Sequence, residues 1–329
     1  MKQTTRNIPL NSRRSFLKNA GSAAVLGLLG RGLKTHRLPP APYLFEEVPP
    51  NVSGLNWVHD NAISPERYLP ETLGPGVAFL DYDNDGWMDI YLVNSGPCDF
   101  FKPAKPIRNA LYKNNRDGTF TDVTEKAGVA GGTFGMGVAV GDYNNDGFAD
   151  IFVTSYGKCV LYRNNGNGTF TDVTEKAGVG GERHYGQGVA VGDFDNDGYP
   201  DLYVAGYERA ILYHNNGNGT FTDITAKAGV ADEGGWSTSA GWFDYDKDGW
   251  LDLVVTNYIE WSPKNNVWCG EQRPGYRSYC HPGNYKGQRI KLYHNNHDGT
   301  FRDVSDASGV GKPETKGMGV VLADFNNDS

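Results

Sequence analysis

The sequence predicts an all-β fold, a β-propeller built from four-stranded blades. Three observations carry that prediction. An acidic nine-residue motif recurs along the chain, a second motif alternates with it, and 44 of the 329 residues are glycine. So much glycine favours many tight turns over long helices. A repeat decides the architecture, so it is read first.

The acidic motif is Asp81-Tyr-Asp83-Asn-Asp85-Gly86-Trp-Met-Asp89. It returns at Asp142–Asp150, Asp193–Asp201 and Asp244–Asp252, and a fifth copy begins at Asp324. Starts are separated by 61, 51, 51 and 80 residues. The second motif runs Leu111–Val123, with copies at Leu161–Val173, Leu212–Ile224 and Leu292–Val304, each followed by a segment ending Ala-Gly-Val or Ser-Gly-Val.

Within one repeat the strands follow from side-chain period. Gly188–Asp193 alternates small and apolar residues, as an inner strand does, and Asp150–Tyr156 is β-branched and aromatic. Leu161–Asn164 is a third strand. Gly166-Asn-Gly168 supplies positive-φ residues for a hairpin, and Thr169–Val173 is the fourth strand. Four antiparallel strands per ~50 residues make one blade, which cannot bury both its faces alone and must stack on neighbours. Phe45–Val48, followed by Gly54-Leu55, matches Phe170–Val173 with Gly178-Val179. It is expected to be an outer strand lent to another blade.

Residues 12–18, Ser-Arg-Arg-Ser-Phe-Leu-Lys, match a bacterial twin-arginine export signal. The apolar stretch after it, Ala20 to Gly30, is too short and glycine-rich to anchor in a bilayer. Residues 1–44 are therefore predicted to be signal and linker, removed between Gly30 and Tyr43, with a periplasmic or extracellular product and no stable membrane span. This segment holds eight basic residues and no Asp or Glu. Without it the net charge falls from −8 to −16. Such an acidic body disfavours nucleic acid and anionic membrane surfaces.

The acidic motif has the logic of a Ca2+ loop. Side-chain oxygens at positions 1, 3, 5 and 9 converge with the backbone carbonyl of position 7, and glycine at position 6 permits the sharp turn. The expected ligands are Asp81, Asp83, Asp85 and Asp89; Asp142, Asn144, Asp146 and Asp150; Asp193, Asp195, Asp197 and Asp201; Asp244, Asp246, Asp248 and Asp252; and Asp324, Asn326 and Asp328 of the fifth copy. Asn144 removes one charge, so the second loop is expected to bind more weakly. Two carboxylates ~4 Å apart repel by roughly 1 kcal/mol in water and about 4 kcal/mol at an effective dielectric of 20, which makes a cation-free loop unfavourable. An EF-hand needs Glu at position 12, where this chain has Leu92, Val153, Val204 and Val255. Those apolar residues belong in strands, so each loop joins two strands of one blade.

These residues resemble the FG-GAP/VCBS repeats of integrin-α-type propellers. The pairing of both motifs is similar to the cartilage acidic protein-like group, in which a propeller precedes an ASPIC/UnbV domain. The resemblance covers about residues 45–328. It implies roughly seven blades in the full fold, calcium in the strand-connecting loops and roles in adhesion or binding, with no established catalytic residue. This sequence stops inside the fifth loop at Ser329 and carries no ASPIC/UnbV segment. It is thus expected to be C-terminally truncated, with four to five blades and an incomplete ring.

The longest spacing holds an insertion, residues 259–288, with Trp261, Trp268, Tyr276, Tyr279 and Tyr285. In an exported chain Cys269 and Cys280 are expected to form a disulfide, worth about 3 kcal/mol by chain entropy; a metal site with His281 is the alternative. Cys98 and Cys159 stand at equivalent places in neighbouring blades, either paired or as buried thiols. The insertion is either a ligand-contacting surface or a lid packed on the propeller. His214 and His294 fill a repeat position held by Lys113 and Arg163, which reads as an exposed strand site. No nucleophile elbow or His-Glu-x-x-His site occurs. The sequence therefore favours a non-catalytic binding, adhesion or scaffold module for protein or carbohydrate. The alternative is a propeller-type polysaccharide hydrolase or lyase with structural calcium.

Overall fold

A computed structural model describes residues 45–181 and 184–324. The export segment at 1–44 and the expected ligands Asn326 and Asp328 lie outside the described residues. The chain divides after Glu47, and the fold is that of the unit beginning at Val48.

The described residues form four complete antiparallel blades. The first is Val77–Leu80, Asp89–Leu92, Ala110–Asn114 and Phe120–Asp122, each strand paired with the next. The second is Phe134–Gly141, Asp150–Gly157, Val160–Asn164 and Phe170–Asp172. The third is His184–Gly192, Asp201–Tyr207, Ile211–Asn215 and Phe221–Asp223. The fourth is Ser237–Phe243, Asp252–Asn257, Lys291–Asn295 and Phe301–Asp303. Register repeats from blade to blade. The last residue of each inner strand faces the ninth motif residue: Leu80 with Asp89, Gly141 with Asp150, Gly192 with Asp201 and Phe243 with Asp252. Each acidic loop therefore connects the first and second strands of its blade. The result is an all-β propeller fold.

The core lies between blades rather than within them. One cluster joins Leu80, Tyr91, Val93 and Leu111 of the first blade to Ile151, Val153, Tyr162 and Phe170 of the second. Two further clusters join the second blade to the third and the third to the fourth. Each fully buried aliphatic or aromatic side chain contributes roughly 1.5–3 kcal/mol, so neighbouring blades stabilise one another. Close approach at the inner strands requires glycine. A Cβ on Gly188 would meet the carbonyl oxygen of Thr238 at 2.6 Å.

After each fourth strand comes one helical turn: Thr124–Ala127, Thr174–Ala177, Thr225–Ala228 and Ser305–Ser308. Each is stopped by a glycine at positive φ (Gly128, Gly178, Gly229, Gly309). This turn corrects the reading of the N-terminal piece. Phe45–Val48 is not a strand, and Phe45 is 91% exposed. Pro49 and Pro50 lack the N–H donors a ladder needs, and Pro50 begins a helical turn, Pro50–Ser53, instead. The match at Gly54 does hold. Its φ is 80°, and a Cβ there would lie 2.4 Å from the carbonyl oxygen of Phe120. Gly128, Gly178 and Gly229 face the carbonyls of Phe170, Phe221 and Phe301 in the same way. The segment thus repeats the blade-ending turn without its strand.

The insertion folds into short pieces, Pro263–Asn265, Cys269–Gly270, Arg277–Ser278 and Pro282–Asn284. Cys269 and Cys280 are bonded, with Cα atoms 5.3 Å apart. Trp261, Cys280 and Tyr285 pack with Leu69, Trp236, Tyr258 and Ile259 in a separate cluster, so part of the insertion is a packed lid. A buried carboxylate ties the lid down. Glu71, 2% exposed, accepts from the Ser64 hydroxyl and backbone N–H, from the Tyr68 N–H at 3.2 Å, and from the Tyr279 hydroxyl at 2.6 Å. Replacing it leaves those donors unpaired, at ~1–3 kcal/mol for a buried group. Glu71→Ala is expected to lower unfolding free energy by about 2–3 kcal/mol in urea melts, and Glu71→Gln by less. Equal, negligible losses would contradict the anchoring role.

Candidate metal sites in the strand-connecting loops

All four loops share one scaffold of hydrogen bonds. The first aspartate accepts the N–H groups of positions 5 and 6: Asp81 at 2.9 and 2.8 Å, Asp142 at 3.0 and 2.7 Å, Asp193 at 3.0 and 2.9 Å, Asp244 at 3.0 and 2.9 Å. The fifth accepts the N–H of position 7, as Asp85 does from Trp87 at 3.0 Å. The ninth is buried, with Asp89, Asp150, Asp201 and Asp252 at most 2% exposed. One of its oxygens takes the position-2 N–H, and the other takes the N–H of the first asparagine in the second motif. Position 4 sits at positive φ in every loop: Asn84, Asn145, Asn196 and Lys247. Asparagine tolerates that conformation best among residues with a side chain.

The loops are also linked to one another. Asn84 Nδ2 donates to the carbonyl of Gly147 at 3.0 Å, Asn145 to Gly198 at 2.9 Å and Asn196 to Gly249 at 3.3 Å. In the reverse direction Asn164 donates to the carbonyl of Tyr82, Asn215 to that of Tyr143 and Asn295 to that of Phe194, each at 2.8 Å. The rings at position 2 pack against the next blade as well, Tyr82 stacked on Phe170, and Tyr143 and Phe194 tilted against Phe221 and Phe301. Sequence reading missed these asparagines. Their signal was an Asn at position 4 in three of four loops and an Asn-Asn pair in every second motif.

Carboxylate oxygens of Asp81, Asp83 and Asp85 lie within 4.8 Å of one another, as do those of Asp193, Asp195 and Asp197, and of Asp244, Asp246 and Asp248. In the second loop Asn144 Nδ2 instead donates to Asp146 at 2.9 Å. Asp83 Oδ1 and Asp195 Oδ1 are buried without a hydrogen-bond partner. Oxygen donors held this close, some with no proton to accept, fit a hard divalent cation. The structure brings together positions 1, 3 and 5 of the first, third and fourth loops; of the fifth copy only Asp324 is among the described residues.

Neighbouring side chains distinguish the loops. In the first, Lys113 Nζ bonds Asp83 and Asp85, and Arg116 meets Asp85 at 2.8 Å. Hydrogen bonds from Arg116 and Lys113 hold Asp85 down at about 2. Burial pushes Asp150 up to about 7 and Asp201 up to about 8, although two backbone N–H groups favour the charged form of each. His214 and His294 are not exposed strand residues. Each turns its Nδ1 toward its own acidic loop, with side chains 27% and 16% exposed. Position explains the miss, because the third strand passes directly beside the loop. His297 pairs with Asp248 at 2.7 Å and stacks on Trp250. His184 is buried, its Nε2 2.9 Å from the Arg209 carbonyl oxygen. Cys98 and Cys159 are free thiols, and burial raises the latter to about 12.

A repeated blade with an acidic loop between its first two strands, each loop hydrogen-bonded to the next, defines a propeller with acidic strand-connecting loops. The FG-GAP-like repeat profile matches residues 81–153, 142–204 and 193–255, more than half of the chain, and the chain belongs to that family. Mouse cartilage acidic protein 1 is 28% identical over 223 residues, 62% of this chain and 34% of that protein. Mouse integrin alpha-7 is 33% identical over 105 residues, 31% of this chain and 9% of that protein. This chain spans about a third of the length of cartilage acidic protein 1. A solved structure of an Agrocybe aegerita lectin, described for recognition of non-reducing terminal N-acetylglucosamine, aligns at 20% identity with a TM-score of 0.35. The alignment covers 68% of this chain and 49% of the lectin.

The raised carboxylates set a pH dependence. Below about pH 4 Asp150 and Asp201 are protonated in both folded and unfolded chains, so they contribute nothing. As pH rises toward 7–8 the unfolded chain releases these protons while the fold retains them, so stability falls. The loss is complete above the folded values. Chelated protein is therefore expected to show a higher urea midpoint near pH 5 than near pH 8 from this contribution, with Asp150→Asn plus Asp201→Asn flattening the slope. A slope unchanged by that pair of substitutions contradicts the assignment.

Proposed function

We propose that this chain is an exported, non-catalytic propeller that binds or scaffolds a protein or glycan partner, with Ca2+ in its strand-connecting loops as a folding element. The observation carrying this reading is the row of four acidic loops, closed by the same hydrogen bonds and tied to one another through Asn84, Asn145 and Asn196. The donor set in the first two loops is oxygen only, and the loops are irregular, which suits the adaptable shell of Ca2+ better than the strict octahedron of Mg2+. Calcium would be held by the residues at positions 1, 3, 5 and 9 and would offset the repulsion among their carboxylates.

The Arg13-Arg14 segment and the Cys269–Cys280 bond both support export to an oxidising compartment by the twin-arginine route. No helix of the described residues is long and apolar enough to cross a membrane. For partner contact, the insertion offers Trp268 and Tyr276, 40% and 49% exposed. Arg277 lies over the Trp268 ring and Arg273 over the Tyr276 ring. Exposed aromatic and arginine side chains are the anchors that dominate binding surfaces.

Ligand that binds only the folded state stabilises it by about 2.7 kcal/mol per site at one hundred times its dissociation constant. A chelator is thus expected to lower the melting temperature sharply, and Ca2+ to restore it where equal Mg2+ does not. An identical melt in excess chelator overturns the calcium reading. Arrays of glycans and extracellular proteins, probed with Ca2+ present, test the binding reading. Trp268→Ala and Tyr276→Ala are expected to weaken the captured partner at least tenfold while leaving the melt unchanged. Product formation from a polysaccharide panel would replace the non-catalytic reading.

A further inference from the structure

The third and fourth loops differ from the first two in chemistry. His214 Nδ1 lies 3.3 Å from Asp195 Oδ2 and 3.3 Å from Asp201 Oδ1. His294 Nδ1 lies 3.4 Å from Asp246 Oδ2 and 3.3 Å from Asp252 Oδ1. In each trio all three donor atoms fall within 4.8 Å of one another. The Nδ1 atom of each histidine is buried and has no hydrogen-bond partner, and Asp195 Oδ1 is likewise unpartnered. The arrangement recurs in two separate blades on separately encoded strands.

These separations are long for N–H···O hydrogen bonds, which centre near 2.9–3.0 Å. They match another geometry. Zinc takes imidazole nitrogen and carboxylate oxygen at ~2.0–2.2 Å in a tetrahedron, whose edges are then about 3.3–3.5 Å. An imidazole also changes which cation is preferred, since it suits zinc and its transition-series neighbours, whereas Ca2+ takes oxygen.

We propose that His214 with Asp195 and Asp201, and His294 with Asp246 and Asp252, form two sites for a transition-series divalent cation of the Zn2+ type. The fourth coordination position is open to solvent or a partner's side chain. This extends the calcium reading by assigning these two loops to a second metal that competes with Ca2+ for shared aspartates. Among the described residues, the first and second loops lack the donor. Lys113 fills the same repeat position in the first with an ammonium bonded to Asp83 and Asp85, and Arg163 in the second turns to Asn165 at 3.3 Å. A cationic side chain there excludes a metal ligand, so the strand residue beside each loop selects the cation.

The test is calorimetric titration of Zn2+ into Ca2+-saturated full chain, with Co2+ absorption as a coordination readout. The expected result is two Zn2+ per chain, with Ca2+ released and tetrahedral Co2+ bands. His214→Gln and His294→Gln are expected each to remove one equivalent, and the double variant both, with Ca2+ uptake retained. Near-UV circular dichroism checks that the variants stay folded. Zinc uptake unchanged in the folded double variant, or no zinc uptake by the wild type, overturns the proposal. Zinc uptake lost with the histidines in a chain that never binds Ca2+ leaves this proposal standing and rejects the calcium reading instead. Should His→Gln prove unfolded, His294→Asp gives the same comparison, with an oxygen donor expected to keep Ca2+ and lose the Co2+ signature.

Discussion

The ninth aspartate of each loop is the constraint on which the rest depends. It is a carboxylate with almost no solvent contact, placed at the first residue of the second strand. Burial of a charge is tolerated only when its lone pairs are satisfied. Here one oxygen closes the loop onto position 2, and the other receives the backbone N–H of the third strand's terminal asparagine. One side chain therefore fixes three strands and the shape of the acidic turn together. The same burial raises its proton affinity, so the fold favours either a proton or a metal there.

From that point coupling spreads sideways. The asparagine whose N–H meets the ninth aspartate sends its side chain to the position-2 carbonyl of the preceding blade, and the position-2 ring packs against the following blade. Loop shape and blade stacking are thus one cooperative unit, and the apolar clusters between blades add to it. A cation that organises the loop acts on the interface without touching it. A bound metal would act as a folding element in this physical sense.

Much of this was legible in the sequence because a repeat multiplies the signal. One Asp-Asn-Asp-Gly turn is ambiguous, whereas four in register with a second motif fix the strand order, the loop position and the loss of the EF-hand alternative at Val153, Val204 and Val255. The Cys269–Cys280 bond followed from two cysteines eleven residues apart in one insertion. What failed depended on geometry that period cannot show. Phe45–Val48 forms no strand, and a helical turn at Pro50–Ser53 follows it directly. His214 and His294 looked like surface positions because Lys and Arg replace them elsewhere, yet the third strand carries that position into the loop. Glu71 stood outside both motifs, and only tertiary contact with Tyr279 reveals its role.

The central claim is that several loops take up Ca2+ and thereby hold the blades together. Equilibrium dialysis of folded chain, with bound Ca2+ counted per molecule, tests it most directly. The account predicts multiple equivalents, reduced by one when the first and fifth aspartates of any single loop become asparagine. Natively folded protein that retains no Ca2+, or a count indifferent to those substitutions, would contradict it.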